Sequence, residues 1–232
     1  MIGSSMLIVD KALERGRGAL NEYESKCLVA GYGVPVAAER LCADPDAAAQ
    51  AAAELGFPVA LKACSHELRH KKELGLVILN LGDEAAVRAA FGQLTEKALG
   101  MELDGILVQA MASGERELLL GISHAPGFGP CVTLGIGGIF AEVLRDVSIR
   151  MAPVAPADAF DMMDTLRGAA LLGALRGLAP VDRKALAAAI RGLGACALEN
   201  PAISEIDINP IIIRSDGSLC AVDALVIMGG AS

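Results

Sequence analysis

The amino-acid sequence predicts an α+β protein with two lobes. Helix-like and strand-like patterns alternate along its 232 residues, with turn residues between them. These elements fall into two blocks that meet near residue 102, and neither an internal repeat nor a long linker is visible. Apolar residues make up 53% of the chain, which is enough to bury a sizeable core.

The first block is expected to contain three helices and two strands. The helices are predicted over residues 10–32, over 44–55 with an Asp44-Pro45 start, and from Asp83 to about Leu99, and the strands over 57–63 and 75–81.

The second block is expected to begin with four strands and to end with a hairpin. The strands are predicted over 105–111, 117–123, 130–136 and 147–153, followed by helices over about 156–171 and 182–199 and by the hairpin over 205–224.

The composition argues against several functional classes. The net charge is −8, tryptophan is absent and aromatic residues make up 3%, so the basic surface and stacking residues of nucleic-acid-binding proteins are missing. The apolar stretches are shorter than the roughly 18–20 residues that a membrane helix needs, and no secretory signal is visible at Met1. We therefore expect neither nucleic acid nor a membrane as a partner.

The six cysteines show neither CxxC pairs nor the spacing of zinc ligands. They lie inside apolar runs, so we expect buried, reduced thiols and a cytoplasmic protein.

Polar residues interrupt the strands of the final hairpin, EIDINPIIIRSDGSLCAVDA. Glu205, Asp207 and Asn209 are two residues apart, so a strand would place all three on one face. A two-residue turn would set Asn209 opposite Ala224, whereas a three-residue turn with Gly217 in the left-handed conformation would set it opposite Asp223. We favour the three-residue turn, because it gathers the polar groups.

Gathered carboxylates repel one another unless a counter-charge is present. A set of oxygen ligands without histidine or cysteine suits Mg²⁺ or Mn²⁺ better than zinc. The alternative is an edge hairpin whose polar face simply meets water.

Two cationic features lie at the end of the predicted strand FPVALKA and in the loop after it. Lys62 lies near its end, where the ammonium contacts either solvent or an anion. The loop SHELRHKKELG then concentrates Arg69, His70, Lys71 and Lys72, which would favour a phosphate nearby and would stabilise a phosphorylated imidazole. A solvated surface loop is the alternative.

The segment GIGGIFAEVLRD supplies Gly135, Gly137 and Gly138. Such glycines either let the backbone approach a ligand with its N–H groups or only allow tight turns. Neither a GxGxxG nor a P-loop pattern occurs, so Rossmann and P-loop sites are not supported.

The segments LNEYESKCLVAGYGVPV, FPVALKACSHELRHKKELGLVILNL, VQAM, RELLLGIS, FGP, LGIGGIFAEVLRDVSIRMAP and EIDINP with VDA stand in this order along the chain. Together they resemble the ATP-grasp domain of ADP-forming (NDP-forming) acyl-CoA synthetases, which is related to the nucleotide-binding half of the succinyl-CoA synthetase β subunit. The similarity runs from about residue 19 to 228. It implies an ATP-grasp fold with lobes over 19–102 and 103–232, each with an antiparallel or mixed sheet and packed helices, after a leader or N-terminal extension over 1–18.

The resemblance also implies that ATP or ADP and Mg²⁺ are clamped between the lobes. The implied ligands are Lys62 for the nucleotide phosphates, the backbone of Gln109, Ala110 and Met111 for adenine, and Asn209, Asp223 and Asp207 for the metal. Further family motifs that are expected to bind the nucleotide contain Glu117, Gly137, Gly138, Glu142 and Arg150.

His70 matches the histidine of the family's HK loop, and Lys71 matches the lysine beside it. That histidine relays phosphate to the nucleotide from a phosphohistidine on the CoA-binding part. The implied reaction is acyl-CoA + ADP + phosphate ⇌ carboxylate + CoA + ATP. Because no CoA-binding Rossmann domain is visible, we expect an α-type partner that carries the phosphohistidine and brings the small carboxylic acid or acyl-CoA. Whether the chain forms a homo-oligomer is left open.

Three positions depart from the family pattern. Lys72-Glu73 replaces Ser-Asp, Gly75-Leu76 replaces Gly-Gly, and Ala110 replaces an acidic residue. The bulk of Leu76 would restrict approach of the backbone to phosphate, and Ala110 removes a partner for the adenine amino group, so these changes put turnover in doubt.

Three functions remain open on the sequence. The first is a catalytic nucleotide-binding β subunit that works with a CoA-binding chain. The second is a non-catalytic or regulatory ATP-grasp module that binds nucleotide without turnover. The third is a carboxylate–amine ligase of the ATP-grasp fold, which has no need of the HK loop.

Overall fold

A computed structural model describes residues 2–67, 74–138 and 145–229, with the backbone alone for residues 2–6. Helices and antiparallel strands both occur, which confirms the α+β class. In chain order the elements are α1 (Ile2–Glu14), α2 (Glu22–Gly31), β1 (Glu39–Cys42), α3 (Pro45–Leu55), β2 (Val59–Cys64), β3 (Val77–Leu81), α4 (Glu84–Lys97), β4 (Gly105–Ala110), β5 (Arg116–Ala125), β6 (Gly129–Ile136), β7 (Val147–Met151), α5 (Pro156–Asp164), a 3₁₀ helix (Ala169–Leu172), α6 (Arg183–Glu199), β8 (Ile203–Ile213), β9 (Leu219–Ala221) and β10 (Leu225–Met228).

The chain folds into two compact units. The smaller unit consists of Asn21–Tyr23 and the described residues of Ala37–Met111, and the larger unit of the described residues of Met1–Leu20, Glu24–Val36 and Ala112–Ser232. The proposed lobe boundaries at 18/19 and 102/103 stay predictions. None of the described helices is long and apolar enough to cross a membrane.

The smaller unit contains an antiparallel sheet in the order β1-β4-β2-β3. One face packs against α3 and α4, where Leu61 of β2 and Val108 of β4 join the side chains of both helices in a buried core. Side chains alternate along a strand, so Lys62 and Gln109 point to the opposite face. The sequence groups β4 with the strands that follow it, but β4 pairs with β1 and β2 instead.

The larger unit contains a sheet in the order β10-β8-β5-β6-β7, with β9 also paired to β8. One face packs against α5 and α6, and there Leu120, Val132 and Ile206 belong to the core. We call the other face the far face. Cross-strand pairs place these residues on it: Glu117, Gly121, Thr133, Gly135, Ile149 and Asp207.

The predicted helix starts are confirmed for three helices. The side chains of Asp44, Asp83 and Asp182 accept hydrogen bonds from backbone N–H groups in the first turns of α3, α4 and α6. Each carboxylate satisfies donors that have no partner inside the helix, and it also lies at the positive end of the helix dipole.

The single helix predicted over residues 10–32 is wrong, because two helices occupy this region. α1 ends at Glu14, and Gly16 adopts a φ of 66°, which glycine tolerates and a continuing helix does not. α2 then begins at Glu22. The predicted helix over 156–171 is likewise shorter, since α5 ends at Asp164 and a 3₁₀ turn follows.

The segment between α5 and α6 is tied to the large sheet by two buried charged residues. The Arg116 guanidinium donates hydrogen bonds to the carbonyl oxygens of Leu171 (3.0 Å), Gly173 (3.0 Å) and Ala179 (2.6 Å). The Asp146 carboxylate accepts from the backbone N–H groups of Arg167 (2.9 Å) and Gly168 (2.7 Å). Backbone groups of this irregular segment are thereby satisfied by the side chains of Arg116 in β5 and of Asp146 just before β7.

Candidate functional site

The β8–β9 hairpin has the register expected from a three-residue turn. Ile211 pairs with Ala221 and Ile213 with Leu219. The Arg214 N–H donates to the Ser218 carbonyl at 2.9 Å, and Gly217 adopts a φ of 85°. This left-handed conformation favours glycine, as the sequence predicts.

The same register continues beyond the hairpin. The Val222 N–H donates to the Pro210 carbonyl at 3.2 Å, and Leu225 of β10 pairs with Asp207. Pairs on both sides therefore place Asn209 opposite Asp223. The preference for this pairing over Asn209 with Ala224 is confirmed.

The polar residues of β8 share an accessible face of the sheet. Glu205, Asp207 and Asn209 are exposed, whereas Ile206 and Ile208 between them are buried. Partial desolvation raises the pKa of the Asp207 carboxyl, and the negative charges of Glu205 and Asp223 raise it further. The carboxylates are thus close enough to repel, and a cation would relieve that repulsion.

The donor chemistry at this hairpin fits magnesium. It consists of carboxylate and amide oxygens, which hard divalent cations prefer. In the described residues, no group of three or more His, Cys, Asp or Glu side chains is arranged to hold a metal. A set of Asn209 and Asp223, with Asp207 beside them, suits an ion that takes only one or two carboxylates and completes its shell with phosphate oxygens and water.

Glycines in β5 and just after β6 let neighbouring backbone segments approach closely. The Gly137 N–H donates to the Glu117 carbonyl at 2.7 Å, and a Cβ atom at Gly137 would lie 3.0 Å from the Glu117 carbonyl carbon. Gly121, which pairs with Asp207, would place a Cβ atom 2.9 Å from the Ile206 carbonyl oxygen. Larger residues at these positions would therefore push strands apart. The structure brings Glu117, Gly137 and Gly138 together, and Glu142 lies outside the described residues.

Arg150 lies on the opposite face from Asp207. It pairs with Val132, whose side chain is in the core, and its guanidinium contacts the Asp161 carboxylate of α5. The structure therefore does not bring Arg150 together with Asp207 and Glu117, although the resemblance groups all three around the nucleotide. Its role in nucleotide binding stays a prediction.

In the smaller unit, Lys62 forms a buried ion pair. Its ammonium nitrogen lies 2.7 Å from Oε1 of Glu22, and the side chains of Lys62 and Glu22 are 9% and 1% exposed. Sequence reasoning missed Glu22. A lysine inside an apolar strand signals the need for a counter-charge, but not which of 28 acidic residues supplies it.

The segment expected to contact adenine ends β4. Gln109 is buried opposite Glu39 and Ala60. The N–H groups of Ala110 and Met111 donate to the carbonyls of Ala38 (2.9 Å) and Pro58 (3.3 Å). These two N–H donors already have partners within the protein, and the adenine contact at this segment stays a prediction.

Leu76 was expected to restrict the approach of the backbone to phosphate, but the structure places its side chain elsewhere. Its side chain is 1% exposed and packs in the core of the smaller unit, while its carbonyl accepts from the Ala63 N–H at 3.0 Å. The bulk of this residue therefore points away from solvent. His70, Lys71, Lys72 and Glu73 lie outside the described residues.

Comparisons with known proteins agree with this architecture. The ATP-grasp domain family matches residues 11–228. The β subunit of acetate–CoA ligase (ADP-forming) I from Pyrococcus furiosus is 37% identical over 225 residues, which cover 95% of this chain and 96% of that protein.

Two structures of the dinucleotide forming acetyl-coenzyme A synthetase 1 from Ca. Korarchaeum cryptofilum are also similar. One, in complex with coenzyme A, Ca-AMPCP and HgCl⁺, has a TM-score of 0.91 and 39% identity. The other, with coenzyme A and Mg-AMPPCP and its phosphohistidine segment pointing towards the nucleotide binding site, has a TM-score of 0.85 and 38% identity. Each match covers 97% of this chain and 100% of the other. This chain therefore belongs to the ATP-grasp family and, within it, to the β subunits of the ADP-forming acyl-CoA synthetases, which are acid–thiol ligases.

Proposed function

We propose that this chain binds Mg·ATP and Mg·ADP and exchanges a phosphoryl group with a CoA-binding α-type partner. The observation that carries the proposal is the register that sets Asn209 opposite Asp223, beside the carboxylate of Asp207. Mutually repelling carboxylates on an accessible strand face form a site that a divalent cation stabilises. Bound magnesium would supply positive charge for the phosphates of the nucleotide.

We assign the contacts with the metal and the nucleotide to the following residues. Asn209 and Asp223 hold the metal, with Asp207 assisting. Lys62 neutralises phosphate charge through its ammonium group. Gly137 and Gly138, next to Glu117, would let a phosphate approach the backbone at the end of β6.

The phosphoryl transfer proposed for the HK loop proceeds in two displacements. The P–N bond to a histidine of the partner breaks as a P–N bond to His70 forms. That second bond then breaks as a P–O bond forms to a β-phosphate oxygen of ADP. Each released imidazole keeps the electron pair of its broken bond, and Lys71 offsets charge on the moving group.

The acyl group would enter through the partner. Acetate is the acid named for the Pyrococcus furiosus relative, and a small carboxylate with its CoA thioester is the substrate class that we propose here. We also propose a cytoplasmic location. Cys42, Cys131 and Cys196 are free and buried, which suits a reducing compartment.

A non-catalytic nucleotide-binding module is the second candidate. The replacement of the acidic residue by Ala110 favours it, because adenine would lose a polar partner. The inward orientation of Leu76 weakens the case for it, since that side chain does not obstruct approach to the backbone.

Reconstitution separates the two candidates. The chain is mixed with its CoA-binding partner, Mg²⁺ and radioactively labelled ATP, and label is followed to histidine. We expect labelling of both chains and net ATP formation from acyl-CoA, ADP and phosphate. Nucleotide binding without any labelling would instead favour the non-catalytic module, and labelling that His70→Ala leaves unchanged would contradict the relay.

A further inference from the structure

We propose that Glu22 is a positioning residue for nucleotide binding, which keeps the buried ammonium of Lys62 charged and held on the face of the small sheet opposite α3 and α4. This inference rests on the proposed contact between Lys62 and the nucleotide phosphates. It assigns a role to a residue outside the strands and loops that carry the predicted ligands.

The first step is the burial of the pair. The Lys62 side chain is 9% exposed and the Glu22 side chain 1% exposed, and 2.7 Å separates Nζ from Oε1. A buried ammonium without a counter-charge loses its proton readily, because desolvation penalises the charged form. A neutral amine would give a phosphate no charge compensation. The carboxylate of Glu22 therefore keeps Lys62 protonated at neutral pH.

The second step is direction. Leu61 and Ala63 face the core of the smaller unit, so Lys62 between them must leave the sheet on the other side. Glu22 contacts the ammonium on that side, where a short charge-assisted hydrogen bond restricts the rotamers of the long lysine side chain. A restrained ammonium loses less conformational entropy on binding phosphate than a freely rotating one.

Other ionisable groups of the smaller unit neighbour this part of the small sheet. Glu39 of β1 pairs with Gln109, and Cys64 follows Lys62 by two residues. Asp104 lies just before β4, where it accepts from Asn21 at 3.0 Å, and His66 lies 4.0 Å from its carboxylate. The Glu22 carboxylate, at 2.7 Å, is in direct contact with the Lys62 ammonium.

The test is the pH dependence of Mg·ATP affinity, measured by calorimetry on the full chain. With Glu22→Gln, we expect affinity within about threefold of wild type near pH 6 and about tenfold or more below it near pH 8.5. The sign follows because a buried amine that loses the carboxylate beside it has a lowered pKa, so its charged form is favoured at the acidic end. Equal affinities of this variant and wild type at both pH values would overturn the proposal.

A double variant separates charge from packing. Arginine stays protonated throughout this range, so Glu22→Gln combined with Lys62→Arg should lose the pH dependence that Glu22→Gln alone introduces. A loss of affinity that remains pH-dependent in the double variant would assign the effect to some other group.

Glu24→Gln serves as the matched control. Glu24 lies two residues further along α2 and forms an ion pair with Arg17 at 3.2 Å, at a more exposed site. Its removal should leave both the affinity and its pH dependence as in wild type. A pH dependence like that of Glu22→Gln would show a general effect of removing a carboxylate from this helix.

Lys62→Met distinguishes the failure of this inference from failure of the proposed function. If Lys62→Met retains full Mg·ATP affinity, the phosphate contact itself is wrong. If it loses affinity while Glu22→Gln does not at any pH, only the role of Glu22 is wrong.

If Glu22→Gln does not fold, the wild-type chain still decides the question. The Cε resonance of Lys62, assigned by its loss in Lys62→Arg, should remain that of a charged ammonium across the pH range of the binding measurements. Titration of this resonance near neutral pH would contradict the proposal.

Discussion

Asn209 lies directly opposite Asp223, because the residue pairs before and after them in the sheet share one register. Asn209 belongs to β8 and Asp223 follows β9, and the turn that joins these two strands requires glycine at position 217. Their spacing therefore depends on the turn as much as on the two residues themselves.

Loss of Asp223 should abolish the metal dependence of nucleotide binding. We expect Asp223→Ala to lower the affinity for Mg·ATP by about tenfold or more, because a hard cation loses a charged oxygen ligand. Calorimetry with and without Mg²⁺ measures this. Asp158→Ala, in the exposed first turn of α5, should bind as wild type does. Undiminished affinity for Mg·ATP in Asp223→Ala would refute the metal site.

The turn itself should tolerate only glycine at position 217. A Cβ atom there would overlap the carbonyl oxygen of Pro180, and the φ of 85° disfavours other residues. We expect Gly217→Ala to lower the free energy of unfolding by about 2 kcal/mol or more. Gly33→Ala is the control, since Gly33 has a φ of 88° but no atom within 4 Å of its Cβ position. It should cost only about 1 kcal/mol in urea titrations, and equal losses would show that the contact with Pro180 is unimportant.

Arg116 should resist conservative replacement. Its guanidinium bonds to three carbonyl oxygens at once, and a lysine ammonium cannot reproduce that planar arrangement. We expect Arg116→Lys to lower the free energy of unfolding by about 2–3 kcal/mol, because buried carbonyls lose charged donors. Chemical denaturation measures this. A stability equal to that of wild type would mean that water replaces those bonds without cost.

Cys196 should be unreactive in the folded chain. Burial raises the pKa of its thiol to about 12, and the negative charge of Glu199 raises it further. Near pH 8 almost no thiolate is present, and thiolate is the form that alkylating reagents attack. Mass spectrometry should find Cys196 modified by iodoacetamide only when urea is added. Modification without urea would contradict its burial.

Local chemistry made much of this fold predictable. The caps at Asp44, Asp83 and Asp182 depend on a carboxylate and the N–H groups two or three residues later. The hairpin register depends on Gly217 and its neighbours. In both cases the interacting atoms are close in sequence, so the sequence contains all that is needed.

Interactions between distant segments were not predictable in this way. Lys62 and Glu22 are 40 residues apart, and nothing near either one indicates the other. The direction of Arg150 depends on which face of the large sheet α5 and α6 cover, which a strand pattern alone does not specify. Gly16 ends α1 although the apolar pattern continues past it, because backbone geometry outweighed periodicity.

The anchoring of residues 166–179 by Arg116 and Asp146 has a consequence for how the larger unit responds to heat. Irregular segments usually loosen before the sheets that they border. Here both anchors are side chains of the sheet and its edge, so this segment gains freedom only when the strands themselves separate. Its amide protons should consequently exchange with solvent in the same cooperative event as those of β5, and not in an earlier one.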